Sequence, residues 1–343
     1  MAEPLLEVRD LVKHFPLPHT LLDAALRRPP EWVRAVDGVS FTLEQGKTLG
    51  LVGESGCGKS TLGRCILRLH DADRGEVRFA GVDLLRLSED ELVPYRKRLQ
   101  VVFQDPYASL NPRQRVGRTL QEVLEVHGIE APAGRRGRVE RLLLQVGLSP
   151  ADAHKYPGEF SGGQRQRIGI ARALAVEPEL LIADEPLSAL DVSIQAQILQ
   201  LLLDLRASLG LTMIFISHDL RVVRYLSDEV AVMYLGKIAE RAPTAELFAR
   251  PQHPYTVALL AAVPEVGGDR RAMVPIEGEP PSAVRIPPGC RFHPRCPWKV
   301  DRCLQESPEL KELLPGHFAA CHVAESRGGP AGAAVASRGA AAP

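Results

Sequence analysis

The nine residues GESGCGKST, Gly53 to Thr61, constrain this 343-residue chain more than any other stretch. They match the pattern G-x-x-x-x-G-K-[ST] and stand between the apolar run KTLGLVG and a segment with helical spacing. Glycines let a backbone fold around a phosphate chain, toward which the loop N–H groups and a helix N-terminus present positive potential. The pattern predicts a nucleotide phosphate site in which Lys59 contacts the β- and γ-phosphates and Ser60 binds Mg²⁺. The other loop residues contribute to the same site: Ser55, Gly56, Cys57, Gly58 and Thr61.

An acidic pair follows the apolar stretch LLIADEP further along the chain. Asp184 suits the coordination shell of Mg²⁺, which prefers oxygen ligands and keeps several waters. Glu185 suits a general base that polarises an attacking water. Acidic pairs are common at solvated strand ends, but in a chain with a phosphate loop the pair predicts a hydrolytic site.

Composition and charge narrow the class of protein. Hydrophobic residues make up 45% and charged residues 24%, as in soluble globular proteins. Basic and acidic residues both total 42, so no global field attracts nucleic acid. The N-terminus lacks the basic and apolar regions of a signal peptide, and no apolar run approaches the ~20 residues that span a bilayer. We therefore expect a cytosolic chain without stable disulfides.

Short apolar strands alternate with helical segments, which predicts an α/β domain on a largely parallel sheet. Strands are expected at LLEVRDLVKHF, at LLIAD, at TMIFIS, and as a pair at VDGVSFTLEQG and KTLGLVG. Helical patterns between 116 and 150, with a break at APAGRRG, predict a helical subdomain inserted at about 105–165. The helix from Lys59 is expected to have one apolar face: Leu62, Cys65, Ile66 and Leu69.

The composition changes after about residue 250 to a loop-rich segment that contains four cysteines. This change predicts a main domain over 1–250, a separate C-terminal domain over 251–323 and a disordered tail over 324–343. The tail consists of small residues in a low-complexity pattern, which cannot bury enough apolar surface to fold.

The stretch FSGGQRQRIGIARAL, residues 160–174, narrows the class further. Together with GESGCGKST and LLIADEPLSALD, in this order, it resembles the nucleotide-binding subunits of ABC transporters over about residues 5–245. The resemblance implies a P-loop NTPase fold, ATP as the nucleotide, and a dimer in which this signature closes over ATP bound by the other subunit. Four residues near the start of the stretch are expected to form a second anion-binding helix N-terminus: Ser161, Gly162, Gly163 and Gln164.

Four further positions acquire a role through this resemblance. Gln104 matches the loop that contacts Mg²⁺ or its water, and Asp191 matches the loop that crosses the dimer interface. His218 matches the switch histidine, whose imidazole bonds the γ-phosphate. Phe15 is the candidate for the ring that stacks on adenine, with Trp32 as the alternative.

Three segments resemble the dipeptide, oligopeptide and nickel branch of these ATPases: QDPYASLNPR, the signature, and the late HPYTVALLAAVP…GEPPSA…PGCRFHPRCP. The first two are most similar to its F-type subunit. The resemblance implies ATP hydrolysis that powers peptide import, at the cytoplasmic face of the membrane. The implied partners are a D-type ATPase subunit, two transmembrane permeases and an extracytoplasmic peptide-binding protein.

Two alternatives to peptide import stay open. The first is import of nickel or glutathione by the same machinery. The composition of the dimer stays open too, since it joins either two different chains or two copies. The second alternative, from a different class of protein, is a non-transport ABC ATPase that acts on nucleic acid. Such a protein would need a long coiled coil, a second motif set or a basic footprint, none of which the sequence contains.

Four cysteines in the C-terminal segment form a candidate metal site: Cys290, Cys296, Cys303 and Cys321. They are separated by five, six and seventeen residues, whereas structural zinc ligands come in pairs two to four apart. Sets of four cysteines bind iron–sulfur clusters. The resemblance points the same way, since the branch includes members with a C-terminal [4Fe–4S] cluster. We interpret the four as cluster ligands, with zinc or free thiols as the alternatives.

The neighbours of these cysteines bear on that choice. His293 and His317 are available as substitute ligands at a zinc site. Basic side chains, among them Arg291 and Arg295, are expected to support thiolates and lower the thiol pKa values.

Overall fold

The structure, a computed structural model, describes residues 3–18, 29–105, 110–262 and 278–327. Its strands in chain order are β1 (Leu6–Pro16), β2 (Trp32–Leu43), β3 (Thr48–Val52), β4 (Arg74–Phe79), β5 (Val82–Asp83), β6 (Leu99–Val102), β7 (Leu180–Asp184), β8 (Thr212–Ser217), β9 (Glu229–Tyr234), β10 (Lys237–Pro243), β11 (Lys311–Leu314) and β12 (His317–Ala319).

The α-helices of the same residues are α1 (Lys59–Ile66), α2 (Glu89–Arg98), α3 (Val116–Val126), α4 (Pro132–Gln145), α5 (Gly162–Leu174), α6 (Val192–Leu209), α7 (Leu220–Leu226), α8 (Thr244–Ala249), α9 (Pro254–Ala261), α10 (Arg302–Gln305) and α11 (His322–Arg327). None of these helices combines the length and apolar character needed to cross a bilayer.

The chain divides into two units. The first unit contains Glu44–Thr48 and Arg86–Ser217. The second unit contains Glu3–Leu43, Leu49–Leu85 and His218–Pro343.

Parallel strands form the core of the first unit. β6 pairs with β7 and β7 with β8, both parallel, and every residue of β7 and β8 is buried. Burial on both faces explains why these strands are continuous apolar runs rather than alternating ones. The predictions of strands at LLIAD and TMIFIS are confirmed, as is the α/β class.

The helical segment of the first unit corrects one sequence expectation. The stretch APAGRRG was expected to break the helical pattern, but α4 begins within it at Pro132. Proline is compatible with a first helical turn, because its missing N–H has no partner there in any helix. The break instead lies at Gly128, whose φ of +62° ends the turn after α3.

Two sheets organise the second unit. An antiparallel sheet has the order β2-β1-β4-β5, and register shifts along β1 account for its imperfect alternation. In the other sheet β3 runs parallel to β9, so β2 and β3, expected as a pair, belong to different sheets. The helix from Lys59 ends at Ile66, which leaves Leu69 outside it and 44% exposed.

The cysteine-containing C-terminal segment adds two strands to the sheet that contains β3 and β9. β12 pairs antiparallel with β10, and β11 pairs with β12. Helix α11 extends into the start of the predicted tail, and residues 328–343 lie outside the described part of the chain. Backbone hydrogen bonds to β10 thus hold in place a C-terminal segment that has few apolar side chains.

Candidate nucleotide site and cysteine cluster

The phosphate loop connects β3 to α1 in the second unit. Gly58 has φ +108° and Gly53 has φ +152°, a backbone conformation that side chains disfavour. A Cβ at Gly58 would overlap the carbonyl oxygen of Ala35 and lie 2.9 Å from the Met233 methyl carbon. The loop therefore needs glycine for the close approach of neighbouring backbone as well as for its turn.

Lys59 lies at the first position of α1 and is 4% exposed. Its Nζ donates hydrogen bonds to the carbonyl oxygens of Gly53, at 2.7 Å, and Glu54, at 3.1 Å. The ammonium therefore lies inside the curve of the loop, where a phosphate chain would meet it. Cys57 is also buried, and burial raises the pKa of its thiol. The thiol is thus neutral, which fits the interpretation of Cys57 as a small residue that fills the loop.

The remaining loop residues lie at the surface of the same unit. Ser55 and Gly56 are exposed, and Ser60 and Thr61 are half-buried in the first turn of α1. The hydroxyls of Ser60 and Thr61 thus lie with backbone N–H groups at a helix N-terminus, the arrangement that binds phosphate.

A carboxylate and an amide meet in the first unit. Asp184 ends β7 and is 5% exposed, and Glu185 follows it with φ +47°. Nε2 of Gln104, just after β6, donates to Oε2 of Glu185 at 3.2 Å and to the Ser188 hydroxyl at 3.3 Å. A positive φ at a non-glycine residue is a strained backbone conformation, and such strain is frequent at functional sites. The structure thus brings together Gln104 and Glu185, which sequence reasoning had assigned to one reaction.

The signature begins helix α5 in the first unit. Ser161 is its N-cap, and its Oγ accepts a hydrogen bond from the backbone N–H of Gln164 at 3.3 Å. Oε1 of Gln164 accepts from the backbone N–H of Ser161 at 3.0 Å, which completes a capping box. A Cβ at Gly163 would collide with the Ile194 side chain, and at Gly162 it would lie 3.4 Å from Leu190. The glycines therefore allow α5 to approach the segment that contains α6.

Three positions assigned through the resemblance lie at element ends. Asp191 is the exposed N-cap of α6, and His218 is exposed just before α7. Phe15 is half-buried on β1, with its ring edge-on to His70 at 5.5 Å between centroids. Trp32, the alternative adenine contact, is 47% exposed on the neighbouring strand.

The four C-terminal cysteines are free thiols, and all are buried. The N–H of Cys290 donates to the carbonyl oxygen of Cys303 at 2.9 Å. Burial, and to a smaller degree the charge of the neighbouring cysteines, raises the pKa of Cys296 to about 12 and that of Cys321 to about 11. The four side chains therefore converge in one region of the second unit.

The expectation that basic neighbours lower the thiol pKa values is wrong for Cys290, Cys296 and Cys321, whose pKa values burial raises. Arg291 pairs with Asp37, and Arg295 pairs with Glu54. The guanidinium groups are therefore engaged with carboxylates, and burial dominates at the thiols. Nε2 of His317 lies 2.7 Å from the carboxylate of Glu240.

Among the described residues, no group of three or more His, Cys, Asp or Glu side chains is arranged to hold a metal ion.

Comparison with known proteins connects this site to a family. The family model of ABC transporters matches residues 36–188, and that of the oligopeptide/dipeptide transporter C-terminal region matches residues 239–303. The oligopeptide transport ATP-binding protein AppF of Bacillus subtilis is 51% identical over 325 residues, which cover 94% of this chain and 98% of AppF. The chain belongs to the ABC transporter family.

A second relative and a solved structure support the same family assignment. A probable peptide ABC transporter ATP-binding protein, y4tS of Sinorhizobium fredii, is 52% identical over 324 residues, covering 94% of this chain and 91% of that protein. The solved dimer of the ATP-binding cassette MJ0796, bound to ADP and Pi, is 28% identical with a TM-score of 0.61. It covers 70% of this chain and 98% of its own. The predicted P-loop NTPase fold and the assignment as an ATPase are confirmed.

Sequence reasoning missed two residues that contact the phosphate loop of this ABC ATPase. The hydroxyl of Tyr255, on α9, accepts a hydrogen bond from the backbone N–H of Glu54 at 2.9 Å. Arg295 forms a bidentate pair with the Glu54 carboxylate at 2.8 and 2.9 Å. The stretches HPYT and FHPRCP are part of the family resemblance, but no spacing rule predicts that they contact a loop 201 and 241 residues away.

Proposed function

We propose that this ABC ATPase powers the import of dipeptides or oligopeptides across the cytoplasmic membrane. The observation that supports this most is its 51% identity to an oligopeptide transport ATP-binding protein over 94% of the chain. The match at residues 239–303 lies outside the ATPase motifs and favours the same branch of the family.

The residues of the chain have distinct roles in hydrolysis. Loop N–H groups and Lys59 bind the phosphates of ATP. Ser60, Asp184 and Gln104 would hold Mg²⁺, which when bound offsets phosphate charge. Glu185 accepts the proton of the attacking water, and His218 orients the γ-phosphate.

The working unit is an ATP-sandwich dimer. Residues of the signature (Ser161, Gly162, Gly163 and Gln164) contact ATP bound by the partner subunit, and Asp191 lies at the subunit interface. Phe15 stacks on adenine. A solved dimer of a 28% identical cassette with ADP and Pi supports this arrangement for the family.

The proposed partners are those that the resemblance implies. A D-type ATPase completes the dimer, two transmembrane permeases receive it at the cytoplasmic face of the membrane, and an extracytoplasmic protein delivers the peptide. Transport is tested by reconstituting this chain with those subunits in lipid vesicles and measuring uptake of labelled peptide together with ATP hydrolysis. We expect peptide and its binding protein to stimulate both, and vesicles that contain Glu185→Gln to accumulate none.

Uptake of nickel or glutathione in place of peptide would replace the proposed cargo. Full ATPase activity that never responds to permease or binding protein would contradict a role in transport.

We also propose that the four C-terminal cysteines hold a [4Fe–4S] cluster. Four buried free thiols in one region match the Cys₄ donor set of such clusters. The raised pKa values mean that binding must release thiol protons.

Anaerobic purification with assays of iron, acid-labile sulfide and zinc tests this assignment. We expect about four irons and four sulfides per chain and a broad visible absorbance. Cys296→Ser is expected to lose most of the iron, whereas Cys65→Ala, at a buried cysteine of α1, retains it. Zinc without sulfide, or a folded ATP-binding protein without metal, would contradict the cluster.

A further inference from the structure

The phosphate loop has a second set of contacts, on the side formed by the C-terminal part of the second unit. Tyr255 is fully buried and accepts a hydrogen bond from the backbone N–H of Glu54 at 2.9 Å. Both carboxylate oxygens of Glu54 accept hydrogen bonds from Arg295, whose side chain is 6% exposed. The second residue of the loop is therefore fixed through its backbone and its side chain.

A buried network fixes Tyr255 in turn. Glu240 is fully buried, and its carboxylate accepts hydrogen bonds from the backbone N–H groups of Gln252 at 2.6 Å and His253 at 2.9 Å. Nδ1 of His253 accepts the N–H of Tyr255 at 3.0 Å, so this ring caps α9. Burial lowers the pKa of His253 to about 4, which keeps the ring neutral and able to accept. The start of α9 thus has a fixed position.

Arg295 comes from the same stretch as three of the cysteines. Phe292, between Cys290 and Cys296, contacts the ring of Tyr255 at 5.5 Å and that of Tyr234 at 5.4 Å between centroids. Aromatic pairs at such distances favour particular ring orientations, here edge-to-face for Phe292 and Tyr234. One segment, Cys290–Cys303, therefore contacts the loop directly through Arg295 and indirectly through Phe292.

We propose that Tyr255 and Arg295 are positioning residues of the phosphate loop, and that the segment Cys290–Cys303 thereby sets the affinity for ATP. The loop binds phosphate through N–H groups that must point into one small volume. A loop already fixed in that conformation loses less entropy when ATP binds. A bidentate Arg–carboxylate pair that is partly buried, with Arg295 6% and Glu54 25% exposed, restrains geometry more strongly than a fully exposed pair does.

Arg295→Gln in the full-length protein tests the proposal. Fluorescent ATP with Mg²⁺ reports Kd, and phosphate release reports KM and kcat. We expect Kd and KM to rise about tenfold, since a charged hydrogen-bonded pair is lost, while kcat changes less than about twofold. Tyr255→Phe keeps the ring and removes only the hydroxyl, so a smaller rise of about threefold is expected.

Arg302→Gln is the matched control. Arg302 lies in the same segment, but its side chain is 52% exposed and its ion-pair partners are Glu306, at 2.6 Å, and Glu325, at 3.5 Å. We expect its Kd to equal that of the wild type.

Glu54→Gln and the exchanged pair Arg295→Glu with Glu54→Arg complete the test. If the pair acts through the loop, the single changes are not additive, and the exchanged pair recovers part of the lost affinity. Equal Kd values for Arg295→Gln and Arg302→Gln would overturn the proposal. If Arg295→Gln does not fold, an unchanged Kd in folded Glu54→Gln overturns it equally. Binding of ATP by the wild type is the baseline, so failure of this proposal is distinct from failure of the ATPase assignment.

Discussion

Glu185→Gln is expected to lose ATP hydrolysis and keep ATP binding. The amide has the size of the carboxylate but cannot accept the proton of the attacking water, so we expect kcat to fall about a hundredfold or more. The substitution should leave the backbone in place, since Gln meets the same conformational cost as Glu at φ +47°. Phosphate release measures the loss, and size-exclusion chromatography with ATP should show a trapped dimer.

Glu177→Gln is a closely matched control for that variant. Glu177 is also a glutamate with positive φ, +52°, in the same unit. Its carboxylate forms an ion pair with Arg138 at 2.5 Å and is 76% exposed, so its loss costs little. We expect wild-type turnover from this control. Wild-type turnover from Glu185→Gln as well would exclude Glu185 as the general base.

Gly58→Ala is expected to raise the Kd for ATP about a hundredfold. A methyl group there would overlap the Ala35 carbonyl oxygen, so the loop must shift before it can accept the side chain. A displacement near 1 Å misaligns the N–H groups that bind phosphate and can cost a factor of this size. Titration with fluorescent ATP measures the change in affinity.

Gly81→Ala separates the collision from the general cost of positive φ. Gly81 has φ +81°, in the turn between β4 and β5, and a Cβ there would meet no atom within 4 Å. We expect a loss of about 1–2 kcal/mol in the free energy of unfolding and no change in ATP affinity. If both variants bind ATP equally, the close approach at Gly58 is not what the loop requires.

The sequence predicted well those strands and helices that depend on a short pattern of residue types. The buried runs LLIAD and TMIFIS became β7 and β8, because a strand buried on both faces must be continuously apolar. The segment after the phosphate loop became α1. The assignment of Gln104 and Glu185 to one reaction came from motifs, and their side chains do meet.

Local patterns also misled where two interpretations compete. APAGRRG contains the residues of a loop, yet Pro132 occupies a first helical turn, where proline is favoured. Arg291 and Arg295 lie beside cysteines in sequence, but their side chains pair with Asp37 and Glu54. Proximity along the chain therefore gave the wrong direction for the thiol pKa values.

The sequence by itself determined the phosphate loop, the acidic pair, the signature and the set of four cysteines, because each depends on residue types at short spacing. Only the tertiary structure decided which residues contact the loop from elsewhere in its unit. Glu54 and Arg295 are 241 residues apart, and they meet in a region where Phe292 packs against Tyr234 and Tyr255. No sequence period or motif predicts such contacts, because strand pairing and the packing of distant segments bring these atoms together.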